Sequence, residues 1–166
     1  MYDHYILMIF PAAMVLASML DLFTMTIPNK ISIVLLVSFI IFAPLTGMDW
    51  NQFLAHLVIA SVILTIGILL FALGTVGGGD AKLLAVASLW IGYDFPTYML
   101  FVTLAGACLS VAIILYRSIL PPFWLVDVKW AMRLHNKKEG IPYAIALTTG
   151  ALITFPTTPW FLSTAG

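Results

Sequence analysis

Long apolar runs that are almost free of charge constrain this chain more than any other feature of its sequence. Charged and polar segments divide the chain into six such runs, at residues 5–20, 31–48, 53–73, 83–93, 97–116 and 141–162. A transmembrane helix needs about 20 predominantly apolar residues. Only 8% of the residues are charged, whereas a soluble domain carries about 25%. The sequence therefore predicts a membrane protein.

The apolar runs predict helices, because they lack the alternation of apolar and polar residues that is typical of membrane β-barrel strands. Helices also satisfy all backbone hydrogen bonds within one segment. We expect an all-α, polytopic membrane protein with about six transmembrane helices, forming one domain over residues 1–166. The fourth run is short, and it gains length if its helix begins at Gly78 or Gly79.

The charges support this count, because all seven basic residues fall on one side of the predicted membrane. They are Lys30, Lys82, Arg117, Lys129, Arg133, Lys137 and Lys138. The opposite side contains Asp3, Asp49 and Asp94 and no Lys or Arg. The positive-inside rule makes the basic side cytoplasmic, so both termini are expected on the non-cytoplasmic side. Asp3 stands where a signal peptide has positive charge, and the first run is therefore predicted to be a retained helix.

The loop between the fifth and sixth runs is the only long one, and it predicts a short helix on the inner membrane surface. One face of that helix would carry Trp124, Val128, Ala131 and His135, and another would carry Lys129, Arg133 and Lys137. Aromatic and basic residues anchor such helices at the lipid headgroups. Contact with a substrate or partner is the alternative role. With a formal net charge of zero, no nucleic-acid partner is expected.

Two acidic residues stand apart because they lie at the ends of apolar runs on the same predicted face. Asp21 directly follows the first run, and Asp80 follows three glycines, Gly77, Gly78 and Gly79. Carboxylates at membrane depth are costly and are usually paired or functional. Two adjacent carboxyls share one proton, and aspartic proteases use such a pair to activate water and to protonate the scissile carbonyl. The sequence therefore makes Asp21 and Asp80 a candidate catalytic pair.

Structural roles for the same residues stay open at this point. Asp21 could end a helix among the headgroups, and Asp80 could be an N-cap, a first-turn acid favoured by the helix dipole, or the partner of Lys30 or Lys82. The glycines would allow positive φ and the close approach of a substrate backbone. Glycine-rich turns are also common before helices that have no catalytic role.

Three segments resemble the type IV prepilin peptidases, the GxGD class of membrane aspartic peptidases. They are Asp21 with Ile27-Pro28-Asn29-Lys30, then Gly77-Gly78-Gly79-Asp80-Ala81-Lys82-Leu83-Leu84, and finally Ile141-Pro142-Tyr143-Ala144. In the last segment Ala144 stands where the family usually has glycine. The chain looks like the short form associated with tight-adherence (Flp-type) pili.

The resemblance implies an aspartic endopeptidase of the bacterial inner membrane, with Asp21 and Asp80 as its catalytic pair. It would cleave the leader of a prepilin on the cytoplasmic side, just before a hydrophobic helix, and its partners would be prepilin and lipid. No metal or cofactor is expected. The chain lacks the insert with paired cysteines found in long family members, and Cys108 is its single cysteine. Methyltransferase activity is therefore not expected.

Residues near the two aspartates have expected supporting roles. Pro28 and Asn29 suit the turn into the second helix, since proline favours a helix start and asparagine can cap. Lys82 either tunes the carboxyl pair electrostatically or only marks the inner face. His56 lies near the opposite face in this topology, and it is interpreted as an interfacial residue.

Two other functions are compatible with the residues alone. A small proton-coupled transporter would use the same acids, but at mid-membrane depth and with inverted repeats. A non-enzymatic subunit of a pilus or secretion machine would tolerate substitution of both aspartates. The sequence leaves the oligomeric state undetermined.

Overall fold

A computed structural model of the chain describes residues 7–121, 125 and 127–165. This part of the chain is helical and contains no β-strand, which confirms the predicted all-α class. Its α-helices are α1 (Ile9–Thr24), α2 (Asn29–Leu45), α3 (Trp50–Ala72), α4 (Gly78–Ile91), α5 (Phe95–Ser118), α6 (Lys129–His135), α7 (Ala144–Thr154) and α8 (Pro159–Ala165). Short 3₁₀ turns at Gly92–Asp94 and Phe155–Thr157 interrupt the helical path.

The helix boundaries follow from local backbone chemistry. At the end of α1, Met25 adopts a left-handed conformation with φ of 55°, and its N–H donates to the Asp21 carbonyl at 2.7 Å. Pro28 is extended immediately before α2, as expected for a residue whose ring fixes φ. The Asp49 side chain caps α3 by accepting from the Asn51 N–H at 3.0 Å. These turns reverse the chain between successive helices.

Two helical stretches in the described residues are long and apolar enough to cross a membrane. They are Trp50–Ala72, with a mean hydropathy of 2.6, and the stretch Gly78–Ser118, with a mean hydropathy of 2.3. The helical stretches Ile9–Thr24, Asn29–Leu45 and Ala144–Thr157 are apolar but shorter. The sixth predicted run is thus divided between α7 and α8 rather than forming one continuous helix. The count of six membrane spans stays a prediction.

The helices pack in two groups that meet at α4 and α7. In one group α7 packs between α1 and α5, and in the other α4 packs against α2 and α3. Small residues make the close contacts: a Cβ added at Gly67 would lie 3.0 Å from the Cβ of Ala81, and one added at Gly150 would lie 2.6 Å from a methyl group of Val102. Glycine therefore lets α3 approach α4 closely, and the still shorter distance at Gly150 makes glycine necessary for α7 to approach α5.

The helices of both groups extend between the same two ends of the bundle, and these ends differ in their residues. At one end the Ala144 N–H of α7 bonds to Asp21 of α1, and Arg117 of α5 bonds to the carbonyls of Glu139 and Gly140. This end, which also contains the start of α4, is called the aspartate end. Since α5 finishes where α4 begins, α4 and α5 run in opposite directions and the chain reverses at Gly92–Asp94.

The opposite end contains a cluster of buried rings and is called the aromatic end. Phe39 packs against Phe53, His56, Trp90 and Trp160, with ring centroids 5.4 to 5.9 Å apart. Phe10 and Phe155 extend this cluster from α1 and from the turn after α7. Offset and edge-on ring contacts add stability beyond that of buried area. The cluster therefore joins α1, α2, α3, α4 and α8.

His56 corrects the interpretation drawn from the sequence. Instead of lying at an exposed interface, its side chain is 2% exposed, and its Nδ1 is hydrogen-bonded to the Leu89 carbonyl at 2.8 Å. The isolated position of His56 among apolar residues hid this contact, because the partner is a main-chain carbonyl on another helix. His56 thus links α3 to α4.

The predicted surface helix is only partly present in the described residues. A helix forms at Lys129–His135, after Val128 in an extended conformation, and so it begins later than the run from Pro121 suggested. Ala131 is buried on α6, and its carbonyl accepts from the Tyr116 hydroxyl at 3.2 Å. Trp124, the segment 1–6 with Asp3 and His4, and Gly166 lie outside the described residues. The predicted location of the termini is therefore not tested.

Candidate active site

Asp21 lies on the face of α1 that packs against the rest of the bundle. The buried residues of this helix are Phe10, Met14, Ala17 and Asp21, and their spacing of four, three and four places them on one helical face. Only 7% of Asp21 is exposed. The carboxyl therefore continues the core face of α1 instead of extending outward from a helix end.

One hydrogen bond from a distant part of the chain holds the Asp21 carboxyl. Its Oδ2 accepts from the backbone N–H of Ala144, the first residue of α7, at 3.2 Å. The Thr148 hydroxyl one turn later donates to the Met14 carbonyl at 2.8 Å. These two contacts fix α7 against α1 beside the carboxyl.

Asp80 lies in the first turn of α4, with Gly77 as the N-cap residue. Asp80 is therefore not the N-cap itself, although its position in the first turn is favoured by the helix dipole. Its Oδ1 is buried and has no hydrogen-bond partner within the described residues. A buried polar atom without a partner is costly, and such costs are often accepted at functional sites.

The two aspartates face one cavity of about 310 Å³ at the aspartate end. The lining residues are Asp21, Met25, Thr26, Ile27, Gly77, Gly78, Gly79 and Asp80. The cavity thus joins the end of α1 and the turn after it to the start of α4. The structure brings together two carboxyls that are 59 positions apart in the sequence.

The three glycines provide space beside their neighbours, and none of them has an unusual backbone conformation. None of the three has positive φ, which corrects one of the two reasons for glycine suggested by the sequence. A Cβ added at Gly77 would lie 3.0 Å from Asp80 Oδ2, and one at Gly79 would lie 3.2 Å from Ile27 Cβ. One added at Gly78 would lie 3.2 Å from the Phe71 ring. The glycines therefore keep the cavity open around Asp80 and let the turn after α1 approach α4.

Lys82 and Asn29 form a contact of their own beside the cavity. The Lys82 ammonium donates to the Asn29 side-chain oxygen at 3.0 Å. Asn29 is the first residue of α2 and Pro28 occupies the N-cap position, so Asn29 does not cap the helix as its residue type suggested. The contact instead connects the start of α2 to the first turns of α4. Lys82, Asn29 and Pro28 are not among the residues that line the cavity.

The sequence did not single out three features of this site. Met25 and Thr26 line the cavity, and the backbone of Ala144 donates to Asp21. Ile27 and Ala144 are part of the segments that resemble the family, and this resemblance was the sequence feature that could have pointed to them. No sequence feature pointed to Met25. A left-handed backbone is unusual for a residue with a long side chain, so the residue type did not predict the conformation that turns Met25 towards the cavity.

Comparison with known families decides the classification. The sequence model described as the type IV leader peptidase family matches residues 8–116. The chain belongs to the type IV leader peptidase family. This finding confirms the resemblance, and two of the three segments that carried it lie within the matched range. No curated protein sequence and no solved structure matches the chain.

Family membership gives the chain a functional class. A type IV leader peptidase is a hydrolase that acts on prepilin-type substrates, and the matched range includes both Asp21 and Asp80. The apolar helical stretches and the family together indicate a membrane protein. The segment 139–144, which supplies the hydrogen bond to Asp21, lies beyond the matched range.

Proposed function

We propose that this leader peptidase is an aspartic endopeptidase in which Asp21 and Asp80 are the catalytic residues. The observation that carries the proposal is the shared cavity, because it exposes two carboxyls from distant helices to the same space of about 310 Å³. That space exceeds the roughly 30 Å³ that one water occupies in the liquid. It has room for a water together with part of a peptide backbone.

The hydrogen bonds support different roles for the two acids in this proposal. An N–H donor bonds more strongly to an ionised carboxylate than to a neutral acid, so we assign the charge to Asp21, which accepts from Ala144. The partnerless Oδ1 of Asp80 suits a neutral, protonated group, because burial disfavours an unpaired charge. Asp21 is then the general base and Asp80 the general acid.

The reaction follows from these protonation states. Asp21 accepts a proton from a water, whose oxygen forms a bond to the scissile carbonyl carbon while Asp80 donates its proton to the carbonyl oxygen. The tetrahedral intermediate collapses as the C–N bond breaks, Asp21 delivers its proton to the leaving nitrogen, and Asp80 recovers a proton from the hydroxyl. Each acid returns to its starting state.

We further propose an Flp-type prepilin as substrate and cleavage at the cytoplasmic face of the bacterial inner membrane. The seven-to-zero division of basic residues supports this face, since Lys82 and Arg117 lie at the aspartate end and Asp49 and Asp94 lie at the other. The same division supports six membrane spans in a single domain, with both termini on the non-cytoplasmic side. Cysteine labelling of Lys138→Cys from the cytoplasm and of Tyr93→Cys from the outside, in a Cys108→Ser background, checks this topology.

Cleavage of a prepilin by the purified protein tests the chemistry. We expect Asp21→Asn and Asp80→Asn each to reduce the cleavage rate by about 10²-fold or more, since a general acid or base usually contributes about 10²- to 10⁴-fold. Asp49→Asn is the matched control, because asparagine also caps helices and Asp49 lies at the opposite end. Full activity in either site variant would remove that residue from the mechanism, whereas no cleavage by the wild-type protein would favour a non-enzymatic assembly subunit.

A further inference from the structure

Arg117, near the end of α5, is bonded to main-chain carbonyls of the loop that leads into α7. Its Nε donates to the Leu134 carbonyl at 2.7 Å, and one of its terminal nitrogens donates to the carbonyls of Glu139 at 2.9 Å and of Gly140 at 3.2 Å. A guanidinium can make several such bonds at once, because its five N–H groups form a rigid planar fork. Arg117 therefore fixes the path of the chain around residue 140.

The segment 139–144 connects this arginine to the candidate active site. Only four residues after Gly140, the N–H of Ala144 donates to Asp21 Oδ2 at 3.2 Å. Between them, Pro142 restricts the backbone, and Tyr143 packs so closely on α5 that a Cβ added at Gly106 would lie 2.7 Å from its hydroxyl. The segment is thus held by α5 at two points, Arg117 and Gly106, before it reaches Asp21.

We propose that Arg117 is a positioning residue of the peptidase: by holding the segment 139–144 it aims the Ala144 N–H at Asp21. This inference rests on the proposed catalytic role of Asp21. Arg117 does not line the cavity, and so it acts only through the main chain that it binds. Without the hydrogen bonds from the Arg117 guanidinium, the segment 139–144 can move. The Asp21 carboxyl then loses the N–H donor that orients it towards the cavity.

The charge of Arg117 is not the property that matters in this proposal. All three of its hydrogen bonds described above go to main-chain carbonyls, and these fix geometry rather than compensate a negative charge. Lysine would keep the positive charge but would replace the planar fork by a single ammonium on a flexible stem. Substitution by lysine therefore separates the two properties.

Steady-state cleavage of prepilin by Arg117→Gln and Arg117→Lys tests the proposal. We expect kcat to fall about tenfold or more in both variants, because misplacing a catalytic group by about 1 Å can cost 10²-fold. KM should change by less than about twofold, since substrate contacts are retained. Arg133→Gln is the matched control: it removes an arginine from the same loop region whose side chain makes no hydrogen bond within the described residues. Wild-type kcat in Arg117→Gln, or full recovery of kcat in Arg117→Lys, would overturn the proposal.

Hydrogen–deuterium exchange of the same proteins gives a readout that does not depend on activity. Peptides covering residues 139–144 should exchange faster in Arg117→Gln than in the wild-type protein, and at the wild-type rate in Arg133→Gln. Unchanged exchange in both Arg117 variants would refute the positioning role even if the wild-type enzyme cleaves prepilin. A different outcome would be faster exchange in Arg117→Gln together with full activity in Asp21→Asn. That outcome would refute the proposed function, and holding the segment 139–144 in place would then have no role in catalysis. If Arg117→Gln fails to fold, cleavage and hydrogen–deuterium exchange are both measured on Arg117→Lys.

Discussion

At the aromatic end of the bundle, one ring nitrogen of each of three residues bonds to an oxygen elsewhere in the fold: His56 to the Leu89 carbonyl, Trp90 to the Leu35 carbonyl, and Trp160 to the hydroxyl of Thr46 just after α2. At the aspartate end, Oδ1 of Asp80 has no such partner within the described residues, and a cavity separates the helices. Buried polar groups stabilise a fold only when they are satisfied. Buried atoms without a partner also occur near the aromatic end, at Asp94, Tyr98 and Thr154. The two ends therefore differ in what fills the space between the helices, which is packed rings at the aromatic end and a cavity lined by two carboxyls at the aspartate end.

Removing the central ring of the aromatic cluster should cause the largest effect. Phe39 is fully buried and contacts four other rings, so we expect Phe39→Ala to lower the free energy of unfolding by about 3–5 kcal/mol. Thermal unfolding in detergent measures the loss. Phe23→Ala is the control, because Phe23 is 43% exposed and should cost far less. Equal losses in the two variants would mean that the aromatic end is not the main source of stability.

Gly92 offers a second way to break the aromatic end. Its φ is +62°, and a Cβ added there would collide with the His56 ring. We expect Gly92→Ala to lower the free energy of unfolding by roughly 2–4 kcal/mol, from backbone strain and overpacking together. Gly47→Ala tests the effect of positive φ without steric overlap, since Gly47 has φ of +79° with open space around it. Unfolding temperatures of the two variants should therefore differ clearly, and identical values would contradict the packing argument.

At the aspartate end, an added methyl group should reduce activity more than stability. In Gly77→Ala the new Cβ would lie 3.0 Å from Asp80 Oδ2, and we expect kcat to fall about tenfold because the carboxyl is displaced. Gly74→Ala is the control in the same loop: Gly74 has φ of +71° and nothing within 4 Å. It should cost about 1 kcal/mol of stability and leave kcat unchanged. A larger loss of kcat in Gly74→Ala would argue against the assigned role of Gly77.

The smallest expected effect has the opposite sign. Because Asp80 has a buried oxygen without a partner within the described residues, we expect Asp80→Ala, which removes that oxygen, to raise the free energy of unfolding by up to about 1 kcal/mol while it abolishes cleavage. Thermal unfolding and prepilin cleavage, measured on the same preparation, check both parts. A clear loss of stability would show that Asp80 has a structural role at the aspartate end.

Apolar runs and charge predicted the helices, and they placed the two aspartates on one side, more closely than they predicted the contacts between helices. The stripe Phe10, Met14, Ala17 and Asp21, which places Asp21 on the core face of α1, is seen only in the structure, because the other residues of this helix are almost equally apolar. The partner of Asp21 could not be predicted, because the donor is the backbone N–H of Ala144 and a backbone group has no residue-type signature. His56 was misjudged for the same reason, since its partner is the Leu89 carbonyl.

The contacts between α1 and α7 determine when the proposed enzyme can first act. The bonds from Thr148 to Met14 and from Ala144 to Asp21 join positions 134 and 123 residues apart. Translation proceeds from the N-terminus at about 5–20 residues per second, so Asp21 emerges from the ribosome many seconds before its partner does. A nascent chain has both aspartates long before it has α7. On the proposed mechanism we therefore expect full activity only after residue 144 has been added, since a chain that ends before it lacks the donor to Asp21.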